Sequence, residues 1–386
     1  MTLSASVNKK SSPRVAVLLG SAVGLAFNGL LASSAAAEQS RGYVVSWFAH
    51  ATYSQEGDCS EGVHPALEEV YFKYLKAFGE DPQKIEDIRQ NFLEGRRDDR
   101  LAPMMMERGR VDGKPTNPFT NPASAADLKL PGLDGEFAYG FDLDDREDDQ
   151  ASGFKDPETY EVGVDHELYR ALGCARAFRG TLDVSPTYWS WAWGQLASSQ
   201  PAWLITVTGE DLTRDGPVTV TFDRALEHIR VNDDSSPRAD MAYRIDPDPR
   251  SHNEYQGEIK EGVVTVSDQG DFRALQNPLV APELALRNFH LRLDVSQDES
   301  IRGIMGGYQP WQDLYWGFGN LGIGGEQQVI GDAVQLYHLM KRYADADPDP
   351  VTGQNMSISA AYYIEAVPAF VGNPSASSGT FDAARN

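Results

Sequence analysis

The spacing of apolar residues along this chain changes twice, and the changes divide it. Near the amino end a largely apolar stretch, 15–31, follows Lys9, Lys10 and Arg14 and precedes Ala35, Ala36, Ala37 and Glu38. A basic start, an apolar middle and small residues at a cleavage point are the layout of a secretory signal peptide. Gly20, Ser21, Gly24 and Asn28 weaken the competing reading, a permanent membrane anchor. No later stretch approaches eighteen uninterrupted apolar residues, so no membrane span is expected once the signal is removed.

The next periodicity is helical. After Pro65, residues Leu67, Val70, Tyr71, Tyr74, Leu75 and Phe78 recur at three and four positions and stop at Gly79, which predicts an amphipathic helix. Ile85, Ile88, Phe92 and Leu93 predict a second one ending at Gly95. Residues 103–135, rich in Pro, Gly, Asn and Asp, read as a long loop.

From Glu136 the period becomes two. Phe137, Tyr139 and Phe141 alternate with smaller or polar residues, and 202–207 (AWLITV) is a continuous apolar run. Residues 43–48, 218–222, 257–259 with 263–266 across Lys260-Glu261-Gly262, 284–295 and 356–367 are further strand candidates. A change of phase between Leu286 and Phe289 predicts a bulge. Val329, Ala333, Leu336, Met340 and Tyr343 predict one late amphipathic helix.

The expected fold is mainly β: an antiparallel sandwich or jelly roll with an N-terminal helical segment and one late helix. The expected organisation is a signal peptide over 1–37, a helical and loop-rich segment over 38–130, a β-rich domain over 131–370 and a disordered tail over 371–386.

Charge narrows the partners. Beyond the first 37 residues, 31 Lys and Arg face 57 Asp and Glu, a net −26. Nucleic acid and anionic membranes would be repelled, which leaves cations, neutral ligands such as a glycan, or a periplasmic protein. The only cysteines, Cys59 and Cys174, both lie in the exported part, and an oxidising compartment favours one disulfide between them.

Candidate chemistry is sparse. Asp142, Asp144, Asp145, Glu147, Asp148 and Asp149 form an acidic run, followed by Asp156, Asp165 and Glu167. Carboxylates at alternate positions suit Ca²⁺, which takes six to eight oxygens. The EF-hand template fails from Asp142, because its third ligand position is Arg146, its glycine position Glu147 and its terminal Glu position Gly153. A calcium site would therefore be irregular, drawn from Asp142, Asp144 and Asp165, against the plainer reading of a solvated loop.

His166-Glu167 starts like a zinc-protease helix, but Arg170 stands where the second histidine belongs. Trp189, Trp191 and Trp193 would share one face of a strand and could stack on a sugar ring, although core packing explains them as easily. Tyr308 and Trp311, among glycines in GGYQPWQDLYWGFG, could line a pocket. Asp345, Asp347 and Asp349 alternate and could hold a cation; the alternative is a stiff Asp-Pro turn.

The blocks DCSEGVHP at Asp58, GFDLDD at Gly140, GVDHELYRALGC at Gly163, ITVTGEDL at Ile205 and GGYQPW at Gly306 together resemble a family of exported bacterial proteins marked by GVDxxLYRxLGC. The family carries no established activity. The resemblance implies one exported unit of shared architecture in the periplasm or outside the cell, and no reaction type.

The reading favours a non-catalytic binding or accessory protein stabilised by calcium. Two alternatives stay open: a secreted hydrolase of a glycan-like polymer using paired carboxylates, and a cofactor-free subunit of an exported redox assembly.

Overall fold

The computed structural model describes residues 38–95, 101–145, 153–180, 190–192, 201–267, 270–275, 283–296, 300–319, 322–323, 326 and 331–373. These fall within one compact unit spanning Glu38–Asn386. In chain order its strands are β1 (Gln39–His50), β2 (Gly109–Val111), β3 (Lys114–Thr116), β4 (Phe154–Lys155), β5 (Val162–Val164), β6 (Ser190–Ala192), β7 (Pro201–Gly209) and β8 (Gly216–His228). Then follow β9 (Met241–Arg244), β10 (Asn253–Lys260), β11 (Val263–Val266), β12 (Phe272–Leu275), β13 (Glu283–Asp294), β14 (Ile301–Pro310), β15 (Ala346–Pro348) and β16 (Asn355–Gly372). The α-helices are α1 (Leu67–Ala77), α2 (Pro82–Leu93), α3 (Leu101–Met106), α4 (Glu167–Leu172), α5 (Trp311–Gly319) and α6 (Ala333–Tyr343).

Eight strands pair antiparallel in the order β1-β7-β8-β10-β11-β13-β14-β16, and β16 returns to pair with β1. The antiparallel β architecture is as expected, but the ladder closes into a barrel where the sequence suggested a sandwich or jelly roll. Alternation along one strand records which face is buried. It is the same for both architectures, so closure could not be read from it.

The barrel is filled by its own side chains. Phe48 packs between Trp203 and Tyr362, and Phe272 and Phe289 stack beside Phe222 and Tyr255. Outward positions carry Thr206, Thr208, Thr219, Thr221, Glu254, Gln256 and Glu258, the reverse of a lipid-facing barrel. Among the described residues no helix is long and apolar enough to cross a membrane.

Local signals hold where they were strong. Glu261 (φ 52°) and Gly262 (φ 81°) make the two-residue turn between β10 and β11, both with the positive φ that such hairpins need. The β13 bulge falls between Arg287 and His290, with Asn288 at φ 50°. α1, α2 and α6 match the helical periods. The expected loop at 103–135 instead contains the end of α3 and the β2–β3 hairpin. Phe137, Tyr139 and Phe141, read as a strand, form only isolated bridges at Phe137 and Phe141 and lie in extended chain on the outer barrel wall. Of the tail expected over 371–386, Val371 and Gly372 instead end β16, and 374–386 lie outside the described residues.

Two ties fix the helical elements outside the barrel, one from the turn before α1 to the residues after α4 and one from the turn after α3 to the start of α6. Cys59 and Cys174 are joined, with Cα atoms 5.9 Å apart. Arg179 lies against Cys59, donates to the Gly173 carbonyl at 2.9 Å and pairs with Asp58 at 2.7 Å. The second tie is wholly buried. Arg108 from the turn after α3 pairs with Glu326 and lies 3.7 Å from Asp332, the N-cap of α6. Tyr71 of α1 donates to Glu326 at 2.7 Å, and Arg108 also faces the Tyr71, Tyr74 and Phe119 rings. Burial and the neighbouring Asp332 carboxylate push the Glu326 carboxyl up, and Arg108 opposes them.

Replacing both cysteines by serine frees a loop of 115 residues and should lower unfolding stability by about 4–5 kcal/mol in denaturant titrations. Arg108→Met should lower it by about 3–5 kcal/mol, because Glu326 and Asp332 would be left buried without their cation.

Candidate functional site

Extended chain over residues 137–145 crosses the outer face of β14 and β16, burying Tyr139, Phe141 and Leu143 against Ile304, Ala361 and Tyr363. Gly306 makes this approach possible: a Cβ there would stand 2.9 Å from the Phe141 ring. Because Phe141 and Leu143 point into the barrel wall, Asp142 and Asp144 turn the other way and remain half-buried. Asp165, just past β5, completes the group. Its N–H donates to the Phe141 carbonyl at 2.8 Å, and its carboxylate accepts from the Leu143 N–H at 2.8 Å.

One oxygen from each of Asp142, Asp144 and Asp165 lies within 4.8 Å of the others. Thus two strand-like positions and one residue 21 places further on converge, as the sequence expected of a calcium site. The Asn288 amide, aimed outward by the β13 bulge, donates to the Leu143 carbonyl at 2.5 Å and holds the residue between the two aspartates. The Asp145 N–H donates to Asp142 at 2.8 Å, with Asp145 at φ 53°. The bulge was legible in sequence, but its use as a clamp on this loop was not.

The surroundings are electronegative. Burial pushes the nearby Glu161 carboxyl up, and Asp156, Asp142 and Asp145 add to that against Arg292. Arg292 is committed elsewhere, paired at 2.7 Å with the fully buried Asp156, whose carboxylate also accepts from the Glu158 and Thr159 N–H groups. The donor set is oxygen only, which suits a hard cation and not a thiophilic one. Glu147, Asp148 and Asp149 lie outside the described residues.

Among the described residues the other candidates do not come together. Trp191 sits on β6 opposite Phe48 of β1, while Trp189 and Trp193 lie outside the described residues. Tyr308 packs partly buried on the outer wall of β14. Trp311, expected to line a pocket, opens α5 with 1% of its surface exposed, and its indole N–H donates to the Asn355 carbonyl at 3.0 Å. A glycine-rich aromatic stretch reads as a loop in sequence, yet packing against Tyr337 makes it a helix. Asp345, Asp347 and Asp349 diverge to Ser359, Arg287 and Thr352 respectively.

His166 and Glu167 are structural. The buried imidazole bonds the Tyr139 carbonyl at 2.8 Å through Nδ1, and Glu167 pairs at 2.7 Å with Arg170, the residue that broke the zinc motif. His166 and His50, buried close together at one barrel end, are both pushed down to about 3 by desolvation. Of the clefts on the barrel, one of about 230 Å³ is lined by Glu158, Arg292, Asp294, Arg302 and Tyr363, with no tryptophan facing its carboxylates.

No family model matches the chain, and no curated protein or solved structure matches it.

Near Glu167, burial raises Asp345 to about 6, and the Glu167 charge adds to the effect. Asp345 therefore holds its proton more tightly in the folded chain. Its contribution to stability is complete below the ordinary carboxylate range and is lost as pH rises through about 6. Stability measured from pH 4 to 7 should show this decline, and Asp345→Asn should flatten it.

Proposed function

We propose that this is an exported, non-catalytic binding or accessory protein in which Ca²⁺ held by Asp142, Asp144 and Asp165 fixes the 137–145 chain on the barrel wall. The convergence of those three carboxylates within 4.8 Å carries the reading. Three negative charges at this spacing repel one another, and a divalent cation offsets that repulsion while backbone carbonyls and water complete the coordination. The disulfide fits an oxidising compartment, where calcium is also plentiful enough to occupy a site of modest affinity. The packing of the described barrel interior by its own side chains supports a reading in which binding uses the outer wall or the ends.

Calcium at a hundredfold over its dissociation constant should stabilise the fold by about 2.7 kcal/mol, visible as a rise in Tm that EDTA reverses. Asp165→Asn should abolish the calcium response and leave the barrel folded. An unaltered Tm across calcium and EDTA would refute the reading.

A further inference from the structure

On the opposite strands of the barrel, β8 and β10 run side by side with Phe222 across from Asn253 and Thr221 across from Glu254. Carrying that register one position past the end of the ladder sets Asp223 opposite His252, so Asp223, His252 and Glu254 share one face. His252 and Glu254 stand at i and i+2, the spacing that puts two strand side chains next to each other. The geometry follows that logic. His252 Nδ1 lies 2.7 Å from Asp223 Oδ1, and its Nε2 lies 4.0 Å from Glu254 Oε2. The Asp223 side chain is 3% exposed, whereas those of His252 and Glu254 are 49% and 58% exposed.

We propose that His252 and Glu254 form a surface site for a zinc-class divalent cation, with Asp223 orienting the imidazole from behind. A carboxylate can only accept, so the Nδ1 proton is directed at Asp223 and the Nε2 lone pair faces solvent. That is the carboxylate–histidine–metal arrangement in which the buried acid fixes the tautomer and makes the ring a better ligand. Glu254 makes no other hydrogen bond or ion pair among the described residues, which leaves its carboxylate available to a cation.

The distance is close to what an ion needs. With metal–ligand bonds of about 2.0–2.2 Å, a tetrahedral centre sets two ligands roughly 3.4 Å apart. Glu254, exposed and flexible, would move about 0.6 Å to meet it, and water would fill the remaining positions. A mixed nitrogen and oxygen pair prefers zinc, copper or nickel over calcium, which separates this site from the oxygen-only group at Asp142. The strongly acidic chain raises the local concentration of any cation.

A general base is the other use of an Asp–His pair, but it needs room for a substrate. The cleft beside Asp223, lined by Trp203, Phe222, Ser251 and Phe272, measures about 10 Å³, the size of one water.

The test is a zinc titration of the exported chain in millimolar calcium, followed by calorimetry and by the imidazole ¹⁵N resonances of His252. One site is expected, with Nε2 and not Nδ1 shifting. His252→Gln should abolish it, Glu254→Gln should weaken it, and Asp223→Asn should weaken it by about 10–100-fold with both ligands still present. Without metal, His252→Gln should still unfold cooperatively, below the parent because Asp223 loses its partner, which separates loss of a ligand from loss of the fold. Wild-type zinc affinity in His252→Gln or in Asp223→Asn would overturn the proposal. So would loss of zinc binding on Asp165→Asn, which would place the metal in the acidic loop.

Discussion

The pairing of β1 with β16 is the contact on which the rest depends. It runs from Gly42 opposite Ala369 to His50 opposite Tyr362, joining the first described strand to the last. Without it the meander would be an open sheet with two exposed edges, and the rows of Phe48, Trp203 and Tyr362 would face water. The approach is close enough that a Cβ at Gly42 would stand 2.7 Å from the Ala369 carbonyl oxygen. Closure also brings Phe48, Trp203, Phe272, Phe289 and Tyr362 into one packed interior.

Everything outside the barrel is arranged on its wall. β16, eighteen residues long, pairs on one side with β14 and on the other with β1, and its outward residues receive α4 and the 137–145 chain. The Cys59–Cys174 bond and the Arg179 contacts hold the turn after β1 against the end of α4, close to where Asp165 enters. The acidic group thus rests on rigid elements at both ends: Asp165 against β5, and Asp142 and Asp144 on a segment clamped by Asn288. A cation there would add a third fixed point at a place where three carboxylates stand close together.

The two buried polar clusters do different work. Arg108, Glu326 and Asp332 tie three helical segments through charges that have no access to water, so losing any member leaves an uncompensated group. His50 and His166 are kept neutral by desolvation and act as shaped packing with one directed hydrogen bond.

Much of the local structure was legible in the sequence because local physics decides it. The period of α1 and α6, the Glu261-Gly262 turn and the bulge beside Asn288 each follow from neighbouring residues, and the Cys59–Cys174 pairing follows from there being no other cysteine. The acidic trio was also legible as a set, because Asp142 and Asp144 alternate and Asp165 follows within the same stretch. What the sequence could not fix was anything that joins distant segments. Barrel closure, the helix formed by the Trp311 stretch, the burial of Arg108 beside Glu326 and the meeting of Asp223 with His252 all depend on which strands become neighbours. Periodicity tells each residue which way to face, but it does not say what it will face, and only the closed ladder of strands decided that.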